Sequence, residues 1–289
     1  MPMGADLKDF PEFAERTRTA ASERRPTCSG PIAWKDWAAV EKDIVNLKRA
    51  AEKARVQSAF MTAVSPGQAA RFLLNRYYQS DEAYLAALGA VLEREYAAIV
   101  DAGFVLQIDC PDLASGRNNQ FQHLSLDEFR KVAAMHIEVL NHAVRALPPE
   151  RMRMHVCWGN YEGPHHKDVA LADILDILLT ARPAGLSIEG ANPRHAHEWE
   201  VFETRKLPEG KVLIPGVLDT TTNFIEHPRL VAQRLIQYAR VVGRDRVIAG
   251  VDCGFATFAQ RPTVDPKIAW AKLGALVEGA RLASRELWK

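Results

Sequence analysis

DEAYLAALGAVLEREYAAIVDAGFVLQID, residues 81–109, changes character partway along its length. Through residue 103 its apolar residues recur on one helical face, and Ser80 is placed to cap a first turn that carries Asp81 and Glu82. From Ala102 to Asp109 the chain becomes a short aliphatic run that fits a buried strand. A helix feeding straight into a buried strand is half of a βαβ unit, and the same rhythm recurs along the chain. Strand-like runs are SAFMTAV (58–64), AGFVLQID (102–109), RMRMHVC (151–157), GLSIEG (185–190), KVLIPGVLD (211–219) and RVIAGVDCG (246–254). Helical patterns cover 34–56, 125–144, 168–182, 228–242 and 266–286, and Ser125 with Glu128 has the spacing of a capping box.

Alternation of this kind implies parallel strands joined by right-handed crossovers. No glycine-rich phosphate loop follows the first strand, which disfavours a dinucleotide-binding sheet. The expected fold class is therefore α/β, a TIM (β/α)8-type barrel, with chemistry at the C-terminal ends of the strands. Six strands are visible, so the expected barrel lacks two. Residues 1–30, polar and punctuated by proline, read as an N-terminal surface arm or an incomplete first element, and 31–289 as the barrel domain. The gap would be covered by that arm or by a partner chain, so a homo-oligomer is one arrangement the pattern allows.

Bulk properties exclude several classes. Lys and Arg number 37 against 36 Asp and Glu, and no basic run interleaved with aromatics tracks a phosphate backbone, so nucleic acid is not an expected partner. No apolar stretch approaches the length of a membrane span, and the start MPMGADLKDF has no signal-peptide pattern, which gives the expectation of a cytoplasmic protein. Cys28, Cys110, Cys157 and Cys253 are widely spaced, and in such a chain metal binding or catalysis is a better reading than a disulfide framework.

Polar groups stand at the ends of the expected strands: Asp109 and Cys110, His155 and Cys157, Glu189, Asp219, Asp252 and Cys253. Parallel strands bring such ends to one mouth, and residues two apart on a strand share a face. His155, Cys157, Glu189 and Cys253 then supply an imidazole, two thiolates and a carboxylate, ligand types that suit Zn²⁺. Alone, the His-x-Cys pair is a weak signal that reads as a packed core pair, and it is Glu189 and Cys253 on the same rim that turn the reading toward a metal. Asp219 and Asp252 read as acceptors that orient ligands, or as caps of their own loops. For His165 and His166 the reading is solvated loop residues. His195 and His197 read as the exposed first turn of a helix, although their spacing would suit a second metal pair. Trp158 and Tyr161 are expected to pack at the rim, and His136 and His142 on a helix.

HVCWGNYEG, LSIEGANPR, VLIPGVLDT and VIAGVDCGF, with AGFVLQIDCPDLA before them, resemble the catalytic barrel of cobalamin-independent methionine synthase. They resemble still more its shorter stand-alone members, described as methionine-synthase-II-like or epoxyalkane:coenzyme M transferase-like. The resemblance runs from about Pro26 to the C-terminus. It implies a zinc ion held by His155, Cys157, Glu189 and Cys253, with Asp109 holding the amino group of an amino-acid thiol. With Asp109, Asp219 completes the expected catalytic set. The implied activity is methyl transfer to a thiol, with homocysteine and 5-methyltetrahydrofolate as the family's pair in methionine biosynthesis. Epoxide opening by a coenzyme M-type thiol is the alternative, and an inactive shortened paralogue that retains zinc is another. Cys110 stands where the family has Glu, and Thr221 where methionine synthase has a proton-donating histidine. The family's G-S-x-P-R loop and an acidic second strand have no counterpart here, matching the two strands absent from the count. The chain therefore reads as shortened, or as begun at an internal Met.

Overall fold

The computed structural model describes residues 4–17, 26–256 and 263–289. Five parallel strands form one sheet in sequence order: β1 (Phe60–Val64), β2 (Val105–Asp109), β3 (Met152–Val156), β4 (Gly185–Ile188) and β5 (Val212–Pro215). The main helices between and after them are α1 (Trp37–Ala54), α2 (Asp81–Asp101), α3 (Leu126–Ala143), α4 (Leu171–Leu178), α5 (Pro228–Val242) and α6 (Pro266–Leu287). Ser80 caps α2 through the Ala83 amide, and both arms of the Ser125–Glu128 capping box form at α3.

The sixth expected strand, 246–254, takes its place beside β5 only through the parallel bridges Leu213↔Val247 and Gly216↔Gly250. Pro215 explains the irregularity. Its carbonyl accepts from Gly250 N–H on that side, but proline has no N–H to return to the neighbouring chain, so the ladder lacks a rung at its centre. Among the described residues the fold is that of a TIM-type barrel, open between β1 and this segment. Phe60 and Ile248, on the inner faces of the two open edges, are 46% and 53% exposed.

Alternation along the strands separates core from lumen. Leu106, Ile108, Met152, Met154, Val156, Leu186, Ile188 and Leu213 are buried against Tyr96 and Ile99 of α2, Phe129 and Ile137 of α3, and Ile174 and Leu175 of α4. The other face turns inward, and the register sets Val64, Asp109, His155 and Ser187 side by side in one row. One step further along their strands come Cys157 and Glu189. The inward-facing row of polar groups is thus fixed by the register, since a one-residue slip would turn it outward.

The described part of the N-terminal region is not a free arm. The Ala5 and Asp6 amides bond to the carbonyl and side chain of Asn118, and Asp6 is fully buried against the loop that follows β3. Residues 1–3 and 18–25 of the expected arm lie outside the described residues. Within the described residues no helix is long and apolar enough to cross a membrane.

Candidate metal centre

His155, one residue before the end of β3, points inward. Its Nδ1 lies 3.3 Å from Ser187 Oγ, and its Nε2 is buried without a hydrogen-bond partner. Two residues on, Cys157 leaves the strand on the same side. Cys253 arrives from the irregular segment beside β5, held by the Asp252 N–H bond to the Leu218 carbonyl. One donor atom each of His155, Cys157 and Cys253 lies within 4.8 Å of the others. Three segments distant in sequence thus deliver one nitrogen and two sulfurs to one point.

The charge state suits a cation. The Cys157 thiol donates toward Cys253, and this, opposed by burial and aided by His155, draws the Cys253 thiol down to about 4. Cys157 moves the other way, pushed up by the same hydrogen bond and by burial. Burial disfavours a charge on His155, but the Cys253 sulfur outweighs it and raises the ring's proton affinity. A buried histidine with an unpartnered Nε2, converging with two sulfurs of which one is readily ionised, is a donor set that fits zinc.

Glu189 stands apart from this trio. It is 3% exposed, but its Oε1 accepts from Trp158 N–H at 2.7 Å and its Oε2 from Asn192 Nδ2 at 3.1 Å. Its carboxyl is not among the atoms that converge within 4.8 Å. Burial, with Asp252 nearby, pushes its pKa up to about 8. Asp252 Oδ1 accepts from Gly190 and Ala191 N–H, both at 2.9 Å, and so holds the turn after Glu189. Gly216 makes room for it: a Cβ there would lie 2.1 Å from Asp252 Oδ1.

Asp109 sits next to His155 in the register and is half-buried, its Oδ1 held by Gln107 Nε2 at 2.8 Å. Burial raises its pKa. Asp219 instead caps its own loop, accepting from Thr221 N–H, Thr221 Oγ1 and Thr222 Oγ1. Trp158 is fully buried and donates its Nε1–H to the Val169 carbonyl, the packed arrangement rather than an open wall.

Two histidine readings need correction. His165 and His195 are 3% and 2% exposed, not solvated. Both face Asp168, and His195 Nδ1 also meets Glu198 Oε2 at 2.8 Å. Burial opposes a charge on His195, but Asp168 and Glu198 outweigh it and lift its pKa to about 9. His166 and His197 are exposed as expected. His136 is buried on α3 and paired with Asp112 at 2.8 Å. The sequence reading passed over Ser187, Asn192, Asp168 and Glu198. For the last two a signal existed: His165-x-x-Asp168 and His195-x-x-Glu198 share a three-residue spacing that brings side chains together in one turn.

The chain is similar to known proteins. The chain is 25% identical over 223 residues to methionine synthase of Thermococcus kodakarensis, an alignment covering 77% of this chain and 56% of that protein. It is 28% identical over 178 residues to 2-hydroxypropyl-CoM lyase of Xanthobacter autotrophicus, covering 53% and 46%. The chain thus spans about half the length of these curated relatives. The structure of a B12-independent methionine synthase from Shewanella sp. W3-18-1 in complex with selenomethionine superposes with a TM-score of 0.72. That match has 21% identity and covers 91% of this chain and 72% of the other, so the two share the fold. The family model described as cobalamin-independent synthase, catalytic domain, matches residues 70–280. The chain belongs to that family.

Proposed function

We propose that this chain is a zinc-dependent transferase that places a methyl group on a small-molecule thiol, with homocysteine as acceptor and a methylated folate as donor. The observation that carries the reading is the convergence of His155, Cys157 and Cys253 on the lumen side of the sheet, with His155 Nε2 unpartnered. When bound, a zinc ion supplies the positive charge that lets an incoming thiol lose its proton at neutral pH. The chain's own residues do the rest. Ser187 fixes the His155 ring, and the ready ionisation of Cys253 supplies negative charge to the centre. Asp109, beside His155 in the register and steadied by Gln107, would accept hydrogen bonds from the substrate's ammonium group. Glu189 is the remaining acidic ligand of the reading; it would have to release Trp158 or Asn192 to join the other three.

Arg153 favours a second reading. On the inner face of β3, two residues before His155, its guanidinium donates to Gln107 at 2.7 Å and stacks 3.5 Å over the Phe60 ring. Burial lowers its pKa to about 10. A half-buried cation satisfied by an amide suits an acidic head group on the thiol, such as a sulfonate, and 2-hydroxypropyl-CoM lyase is among the relatives. In that case the carbon electrophile is an epoxide rather than a methyl group.

Purified zinc-loaded protein is to be given homocysteine with 5-methyltetrahydrofolate, and separately coenzyme M with epoxypropane, with products read by mass spectrometry. Methionine supports the first reading, and the hydroxyalkyl thioether supports the second. Full zinc occupancy with neither product refutes the transferase reading. Zinc at unchanged stoichiometry in Cys157→Ser and Cys253→Ser removes the site itself.

A further inference from the structure

Outside that centre, His165, Asp168 and His195 form the second convergent donor cluster among the described residues. His165 Nδ1 lies 2.6 Å and His195 Nε2 3.2 Å from the same atom, Asp168 Oδ2, and the three side chains are at most 4% exposed. The far nitrogen of each ring is already committed. His195 Nδ1 faces Glu198 Oε2 at 2.8 Å, and His165 Nε2 faces the Tyr161 carbonyl at 3.0 Å. Both partners are acceptors, as is Asp168 Oδ2, so each ring lies between two acceptors although a neutral ring carries only one N–H. With both rings neutral and their N–H groups on Glu198 and Tyr161, both lone pairs would point at the Asp168 carboxylate oxygen. Three acceptors converging in a water-poor interior repel one another unless a cation lies among them.

Two extra protons satisfy this arrangement, and so does one metal ion. We propose that the cluster is a binding site for a divalent transition-metal ion of the zinc class, held by His165 Nδ1, Asp168 Oδ2 and His195 Nε2. Two imidazoles and a carboxylate are an accepted donor set for such ions. The outer contacts have the form that metal-ligating histidines show: one ring is backed by a carboxylate, the other by a backbone carbonyl. Those backing groups are themselves pinned, Glu198 Oε1 by Leu171 N–H at 2.6 Å and Asp168 Oδ1 by Asn118 Nδ2 at 3.0 Å. Tetrahedral ligands on bonds of about 2.0–2.1 Å sit roughly 3.3 Å apart, so the 3.2 Å separation already fits and the 2.6 Å one opens by a small withdrawal of Asp168.

The site ties together the loops that follow two catalytic strands. His165 and Asp168 lie in the loop after β3, and His195 in the loop after β4, where its ring stacks on Trp158 with centroids 4.3 Å apart. Asp6 joins the same assembly by accepting from His165 N–H. The ion would act as a staple at the barrel mouth, chemically separate from the sulfur-containing centre.

The test is cobalt or zinc loading of the full chain, followed by elemental analysis and visible and X-ray absorption spectroscopy. Wild type is expected to hold two equivalents. The Cys157→Ser/Cys253→Ser variant is expected to keep one, with only nitrogen and oxygen neighbours and an imidazole outer-shell signature. His165→Asn/His195→Gln is expected to lose that equivalent while retaining the sulfur-ligated one. A sulfur-ligated equivalent alone in wild type, no metal in the cysteine variant, or two equivalents in the histidine variant overturns the proposal. Should the histidine variant fail to fold, absorption data on the cysteine variant alone decide it. Loss of the sulfur-ligated equivalent instead would count against the transferase reading and leave this one standing.

Discussion

Lys272 offers a quantitative test of how the barrel mouth is held. Its side chain on α6 is fully buried, and its ammonium donates to the Phe224 carbonyl and lies 2.7 Å from Glu226 Oε2. That oxygen accepts no aligned hydrogen bond, so the contact is an ion pair in which attraction rather than geometry does the work. At 2.7 Å the gross attraction at an effective dielectric of 20 is about 6 kcal/mol. Most of it is offset by desolvation of the two groups, so the pair as a whole contributes little net stability. Removing one partner is another matter. Lys272→Met leaves the Glu226 carboxylate buried and uncompensated, and the expected loss is about 3–5 kcal/mol. Glu226 Oε1 also accepts from Asp219 N–H at 2.9 Å, so the Asp219 loop should loosen in the same variant. In Lys272→Met/Glu226→Gln the orphaned charge is gone and the amide can still accept from Asp219, so at least half of the loss should return. Urea unfolding of the four proteins of this double-mutant cycle, in chelator so that metal linkage does not enter, measures the coupling. A single substitution costing under about 1 kcal/mol, or a double variant as unstable as the sum of the singles, would refute the reasoning.

Gly216→Ala should cost about 1–3 kcal/mol and weaken metal binding, because its Cβ would lie 2.1 Å from Asp252 Oδ1 and 2.6 Å from Asp252 Cα, next to Cys253; calorimetry with zinc titration checks both. Asp6→Ala removes an acceptor shared by the Tyr161 hydroxyl and His165 N–H. Limited proteolysis should then cut the first ten residues faster, and unchanged cleavage would show that Asp6 does not anchor them. Burial pushes the Tyr84 phenol up to about 12, and its hydroxyl donates to the Leu73 carbonyl at 2.9 Å. A folded-state value above the unfolded value near 10 means its stabilisation is intact below pH 10 and is lost as pH rises toward 12. Tyr84→Phe should flatten that part of the stability curve, and an unaltered curve would assign the loss to other groups.

How much of this could be read from the sequence follows from the range of the forces involved. Strand and helix alternation is local, so β1 to β5 and the capped starts of α2 and α3 appear where the apolar pattern and the Ser80 and Ser125 caps put them. Even the sixth strand was legible as a ladder position. Its irregularity depends on Pro215, in the neighbouring strand, having no N–H to give, and an isolated stretch such as RVIAGVDCG carries no record of what lies beside it. Inward-facing groups at strand ends likewise follow from parallel topology and a period of two, which is why His155, Cys157 and Cys253 could be grouped in advance.

The remainder depended on which hydrogen-bond donors reach which acceptors across loops, and no periodicity encodes that. Glu189 has its two oxygens taken by Trp158 N–H and Asn192, and Asp219 spends its carboxylate on Thr221 and Thr222. Neither commitment is visible until the loops fold. The buried histidines show the same principle with the opposite outcome. Loop histidines default to solvent because burying an imidazole without partners is costly. His165 and His195 escape that cost because Asp168 and Glu198 each follow a histidine by three residues and the two short segments then meet. Each pairing is local and readable. Their joining into one buried cluster is tertiary, and it is at such junctions, where local patterns meet through loops, that this chain's barrel mouth gathers polar groups its strand sequences alone do not announce.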